Sequence, residues 1–255
     1  MIKVTVWNEF VQENETDRLE SVAAIRAVHP NGIHETLKAI LEEDDEFVVR
    51  TATLDMPECG LTKEVLDDTD VLVWWAHVAH ERVPEEISDR VRDYVLRGMG
   101  FVALHSAHPS RPLQKLLGTS GSLKWREGDF CRVWNLCPTH PIAEGIPESF
   151  ELEEEEMYGE FFDIPKPDDV VFTSWFRGGE VFRSGCTWTR GYGKIFYFQP
   201  GHETNKSYFN PYVRRIIKNA VKWAKPSVRV EKLDCPHAEI SPEEPVSSES
   251  PAPKS

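Results

Sequence analysis

Cysteine is scarce in this chain and poorly placed for cross-linking. The five residues (Cys59, Cys131, Cys137, Cys186 and Cys235) are odd in number, widely spaced and include no C-x-x-C pair. That pattern argues against a disulfide framework or a thiolate zinc site and predicts reduced, mostly buried thiols. Positive charge is also short: 29 Lys and Arg face 43 Asp and Glu, for a formal net charge of -14. Nucleic acid and anionic membranes both recruit cationic surface, so neither is an expected partner. No run reaches the roughly 18 apolar residues of a membrane span. The opening MIKVTVWNEF passes from one lysine straight into strand-like alternation, unlike a signal peptide. These absences predict a cytoplasmic protein. No internal repeat is visible. What is present is 255 residues, 40% of them hydrophobic and 11% aromatic, enough to bury the core of one large α/β domain or two small ones.

Apolar runs recur with helical stretches between them. Strands are expected at Ile2 to Trp7, Phe47 to Thr51, Asp70 to Trp75 and Gly100 to Leu104. The third is continuous enough to be covered on both faces. Helices are expected at His34 to Glu42, with Asn31 as cap, and at Pro84 to Leu96, where Ile87, Val91, Tyr94 and Val95 repeat at helical spacing. Strand–helix–strand alternation predicts a parallel sheet with right-handed crossovers. From about residue 124 to 190 the rhythm changes to short pieces such as Cys131 to Trp134 and Val170 to Phe172, which read as antiparallel decoration. A last core strand is expected at Lys194 to Phe198 and a closing helix at Pro211 to Trp223. The domain is expected to span 1–225. The remainder, 226–255, holds six of the 18 prolines with many Ser and Glu, and mobility is expected from Pro242 onward.

Ligands of open α/β sheets bind beyond the carboxyl ends of the strands. Here those ends read Trp7-Asn8-Glu9, Trp75-Ala76-His77-Val78-Ala79-His80, Leu104-His105-Ser106-Ala107-His108 and Gln199-Pro200-Gly201-His202-Glu203. The fourth strand runs into small residues and a helix, the shape of a nucleophile elbow, yet His105 stands where an attacking Ser or Cys belongs. Imidazole there can ligate a metal or move a proton; an acyl-enzyme is not expected. Three histidines leaving neighbouring buried strands need a metal, a ligand or each other's hydrogen bonds. His202-Glu203 has the form of a carboxylate orienting an imidazole. His34 is expected on the first turn of its helix, as a substrate contact or a plain surface residue. Glu151 to Glu156 reads as a solvated acidic face, with Glu156 and Tyr158 turned inward. Trp74, Trp75, Trp125 and Trp188 are expected mostly in the core, though eight tryptophans leave aromatic surface that can stack on a sugar.

At these residues the sequence resembles the ThuA-like (trehalose-utilisation) family, which shares the class I glutamine-amidotransferase-like, flavodoxin-like fold. The resemblance covers nearly all of residues 1–225. It rests on Val6-Trp7-Asn8-Glu9, Gly32-Ile33-His34, the Trp74 to His80 and Leu104 to His108 segments, Ser122 to Glu127, Glu155 to Glu160, Val181 to Gly185 and Gln199 to Glu203. It implies a three-layer α/β sandwich and a role in disaccharide catabolism. Where true amidotransferases carry Cys this chain has His105, so glutamine hydrolysis is not expected.

Together these readings predict an enzyme acting on a small-molecule sugar or keto-sugar by metal-assisted isomerase, lyase or hydrolase chemistry. The alternative is a noncatalytic sugar-binding or regulatory protein on a lapsed amidotransferase scaffold. The expected metal tripod is His77, His105 and His202, holding a divalent cation, with zinc first and Mn²⁺ or Fe²⁺ behind it. Glu156, His202 and Glu203 are the expected catalytic groups, and His34, Tyr158 and Arg183 the expected substrate contacts. Self-association into a homo-oligomer is expected from the Trp-rich decoration.

Overall fold

A computed structural model describes residues 1–15 and 19–243. Nine strands form one sheet: β1 (Ile2–Asn8), β2 (Phe47–Thr53), β3 (Val71–Trp75), β4 (Gly100–Leu104), β5 (Lys124–Asn135), β6 (Ser149–Gly159), β7 (Asp169–Phe176), β8 (Val181–Arg190) and β9 (Gly193–Phe198). Their spatial order is β2-β1-β3-β4-β9-β8-β7-β5-β6. The first five run parallel. Their order is that of the flavodoxin-like doubly wound fold, in which the sheet reverses winding between β1 and β3. The other four are antiparallel and extend the same sheet from β9 outward.

Six helices cover the parallel half: α1 (Leu19–Val28), α2 (Ile33–Leu41), α3 (Lys63–Asp67), α4 (Glu85–Leu96), α5 (Arg111–Leu117) and α6 (Pro211–Ala224). Opposite winding on the two sides of β1 puts α2 and α6, which touch, on one face and the packed pair α4 and α5 on the other. The result is a three-layer α/β sandwich. Because helices cover both faces, every residue of β3 and β4 is buried. Trp7 of β1 stacks on Trp74 of β3 with ring centroids 3.8 Å apart inside this core.

Helix α6 shows how local signals set an element. The Asn210 side chain accepts from Tyr212 N and Val213 N, Pro211 occupies the first turn, and Val213, Ile216, Ile217, Ala220 and Val221 bury one stripe. Helix α2 starts differently from expectation. Asn31 does not cap it; the chain turns at Gly32, with φ of +94°, and no side chain caps the helix. A Cβ at Gly32 would stand 2.6 Å from the His34 ring, so only glycine fits.

Four elements escape the sequence patterns, among them the short helix α3. Helix α1 buries only Ile25, so it has almost no apolar stripe to read. Strand β6 hides inside the acidic run because Glu151, Glu153 and Glu154 are exposed while Leu152, Glu155 and Glu156 are buried. Strand β8 is broken up by Ser184 and Gly185, which are nevertheless buried. Of the cysteines, Cys59, Cys131 and Cys186 are buried, Cys137 is half-buried and Cys235 is exposed.

Contacts with the domain continue past Pro226. Val230 N donates to Arg97 O, and the Arg229 guanidinium donates to the carbonyls of Leu66, Asp67 and Thr69. The expected mobility from Pro242 to Ser255 falls, from residue 244 on, outside the described residues.

Candidate active site

The carboxyl ends of β1, β3, β4 and β9 meet the far half of β6, and there the polar strand ends converge. Leaving β4, the chain enters a single 3-10 turn, His105–Ala107, with His105 at φ +50°. Left-handed backbone is unusual for a side chain of this size and marks the elbow expected from the sequence. The imidazole is fully buried between the rings of Tyr158 and Trp75, at 5.3 and 6.4 Å. Its Nδ1 lies 2.9 Å from Gln199 O, and Tyr197 donates its hydroxyl proton to His105 O. A carbonyl can only accept, so the Nδ1 proton is fixed and Nε2 faces the site. There Glu156 Oε2 approaches to 3.2 Å and Tyr158 Oη to 3.5 Å.

His77 and His202 complete a ring of imidazoles. Centroid separations are 5.9 Å for His77–His105, 5.7 Å for His77–His202 and 5.4 Å for His105–His202, all edge to face. Glu203 takes a different partner from the one its position suggests. Its carboxylate accepts from His77 Nδ1 at 3.0 and 3.1 Å, while His202 Nε2 is 3.6 Å away. His202 Nδ1 instead pairs with the Thr204 hydroxyl at 2.9 Å. The adjacent pair is therefore not an orienting dyad: side chains of neighbouring residues diverge, and Glu203 serves the histidine of another strand. Gln12 Nε2 also donates to Glu203.

Electrostatics follow from burial and these contacts. Burial drives the His105 pKa down, but the Glu156 carboxylate at Nε2, with Glu155 and Glu203 beyond, outweighs it and raises the value to about 9. Burial pushes Glu156 up, yet its contact with His105 and the charges of His105, His202 and His77 leave it below the usual carboxylate range. Glu203 is likewise pushed up by burial and brought down, to about 2, by the His77 hydrogen bond and the surrounding imidazoles. His202 is lowered, chiefly by burial and then by the charge of His105. The pocket therefore holds two ionised carboxylates against a cationic imidazole.

Six of the sequence-predicted residues come together here: His77, His105, His202, Glu156, Glu203 and Tyr158. Two do not. His34 is buried rather than on the surface, its Nδ1 3.1 Å from Asn8 Nδ2 and its ring against Phe10. Arg183 is held by the Glu160 carboxylate and donates to Phe162 O, which commits its guanidinium elsewhere. Sequence patterns missed Glu155, fully buried and accepting from Glu156 N, Gly201 N, His202 N and the Ser207 hydroxyl. They also missed the role of Glu9, whose carboxylate accepts from Val78 N and Ala79 N and so sets the loop that carries His77 and His80. A carboxylate directly after a buried strand was the available signal for Glu9. Glu155 sat unmarked among four other acidic positions.

Two donor sets each bring three ligand atoms within 4.8 Å of one another: His77, His202 and Glu203, and His105, His202 and Glu156. Each exchanges one imidazole of the expected tripod for a carboxylate. The chemistry of both sets suits a divalent cation. His77 and His105 have Nδ1 tied to an acceptor, the arrangement that orients ligating imidazoles, and Glu156 Oε2 is buried without a hydrogen-bond partner. Beside the cluster lies a cleft of about 470 Å³ whose lining includes His77, His80, His108, Trp125, Glu156 and Tyr158 and no cysteine. Trp125, expected in the core, is 63% exposed at its rim, because β5 runs near the end of the sheet.

Comparison with known proteins agrees with this architecture. A ThuA-like protein of Parabacteroides merdae superposes with a TM-score of 0.63 at 18% identity, covering 90% of this chain and 92% of the other. One from Bacteroides uniformis gives 0.58 at 17% identity, over 87% and 90%. A protein of Salmonella typhimurium described as cytoplasmic gives 0.59 at 12% identity, over 88% and 100%. At these identities the likeness is one of fold. No curated protein matches the sequence. No helix among the described residues is long and apolar enough to cross a membrane. The trehalose-utilisation family model matches residues 3–224, nearly the whole folded chain, and the protein belongs to the ThuA family.

Proposed function

We propose that the protein is a sugar-catabolic enzyme that converts a disaccharide or keto-sugar derivative at the His105–Glu156 cluster, assisted by a divalent cation, zinc foremost. The observation that carries this reading is the convergence of three imidazoles and two carboxylates from β6 and the ends of β3, β4 and β9 on the edge of one cleft. The family points to sugar metabolism. His105, His202 and Glu156, or His77, His202 and Glu203, would hold the cation. When bound, it supplies Lewis-acid polarisation of a carbonyl or hydroxyl oxygen.

The chain's own residues do the rest. Glu156 is ionised and lines the cleft, so it can take a proton from a carbon beside a carbonyl and return it to a neighbour. His105, fixed through Nδ1, presents Nε2 to that carboxylate and holds a proton there in the absence of the cation. Proton and cation compete for Nε2, so acid releases the metal. Glu203 behind His77 fixes that imidazole in one tautomer. Tyr158, locked to the Ser106 hydroxyl at 2.6 Å, closes the inner wall. The elbow carries imidazole where acyl transfer needs a thiol, so glutamine hydrolysis is not part of this proposal.

The test is to measure metal content of the purified protein and then supply 3-keto-trehalose. The expected result is near-stoichiometric divalent metal and consumption of the keto-sugar, with consumption lost in Glu156→Gln; loss of the metal as well would assign the cation to the His105, His202 and Glu156 set. Stoichiometric binding with no conversion by metal-loaded protein would replace the enzyme by a sugar-binding module.

A further inference from the structure

We infer that the outer half of the cleft, bounded by Trp125 at its rim and by His80, His108, Ser120 and Ser122, is a subsite for the second, non-reacting ring of an unphosphorylated disaccharide. The inference rests on the sugar reading above and adds to it where the second ring lies and what charge it carries.

Four tryptophans (Trp7, Trp74, Trp75 and Trp188) are wholly buried in the core, whereas Trp125 shows 63% of its surface and lines the cleft. Its position opposes Tyr158 across the β5–β6 ladder, so the indole stands beside the inner wall of the catalytic cluster. Alternation along β5 sends its neighbours Lys124 and Arg126 to the other face, and Arg126 is bound there by Glu180 and Asp129. An exposed flat ring beside a polar pocket offers the apolar face on which the C–H side of a pyranose packs.

The wall opposite carries hydrogen-bonding groups without charge. His108 Nδ1 lies 2.7 Å from Gly121 O, which fixes the proton there and leaves Nε2 as an acceptor. Neither ring nitrogen of His80 has a partner, although both are enclosed. Burial holds the His108 imidazole neutral in the physiological range, with a value near 3. Asp163, bonded to the Ser120 hydroxyl, ties down the Ser120–Ser122 segment, and Asp163 N donates to Ser122 O. The lining contains no Lys or Arg, and its one carboxylate, Glu156, repels a phosphate. A volume of about 470 Å³ lies in the range of roughly 300 to 1,000 Å³ that encloses ligands larger than one hexose.

Calorimetric titration of the full chain with trehalose, glucose and trehalose 6-phosphate tests the subsite. Wild type is expected to bind trehalose at least about fivefold tighter than glucose, and the phosphate ester more weakly than trehalose. Trp125→Ala should erase the preference for trehalose while leaving glucose affinity unchanged; Trp125→Phe should restore part of it. The exposed position makes loss of folding improbable, and circular dichroism checks it. Trehalose affinity unchanged in Trp125→Ala, tighter binding of the phosphate ester, or no trehalose binding by wild type would each overturn the inference. Trehalose binding through Trp125 without conversion of the keto-sugar would leave the subsite standing and remove only the enzymatic reading.

Discussion

Glu156 Oε2 stands 3.2 Å from His105 Nε2, and the two residues come from strands that the sheet separates by four others. The His105 side chain is wholly buried and Glu156 is nearly so, and the carboxylate oxygen has no aligned hydrogen bond. Such a pair is held apart from water and poised toward a third party. His105→Asn keeps a residue type that tolerates left-handed backbone. It is expected to fold, with Tm within a few degrees of wild type, and to lose at least about 100-fold in keto-sugar turnover. Glu156→Gln should lose a similar factor, and the double variant little more, because the pair acts as one unit. Turnover and Tm measured on the three variants check this.

Glu155 anchors the loop after β9 from the other face of β6. Replacement by Ala strands three backbone N–H groups and one hydroxyl in the interior. Each buried donor without an acceptor costs about 1–3 kcal/mol, so Glu155→Ala should lose about 3–5 kcal/mol in urea unfolding, allowing for relaxation. Glu155→Gln keeps one acceptor and should lose less.

Stability should fall in mild acid through the buried histidines. His29 is fully buried, and burial lowers its pKa to about 4, against about 6.5 in an unfolded chain. The unfolded state therefore binds an extra proton below pH 6.5. The stability contributed by the neutral ring is complete above that pH and drains away as pH falls toward 4, by at most about 3 kcal/mol. His29→Gln should show a correspondingly smaller loss between pH 7 and 4.5 in denaturant titrations.

Arg229 closes three carbonyls around the end of α3. Arg229→Ala is expected to cost about 1–2 kcal/mol, read by chemical denaturation, although the residue lies beyond the last helix.

The sequence by itself determined the alternation of buried strands and amphipathic helices, since both rest on local periodicity: β4 is Gly100–Leu104 as expected, and α6 follows its Asn-Pro cap and apolar stripe. It also marked His77, His105, His202 and Glu203, because polar residues directly after continuous apolar runs stand out. Tertiary structure decided the partnerships. Glu203 serves His77 rather than its neighbour His202, and Glu155 reaches a loop 46 residues away, since the far half of β6, an edge strand in the sheet order, returns to the carboxyl ends of β4 and β9 without regard to distance along the chain. It decided, too, that His34 turns into the interior, that Trp125 faces the cleft, and that an acidic run is a strand with two buried carboxylates. Burial of a charged or aromatic side chain depends on what packs against it, and that information lies in the fold rather than in any local pattern.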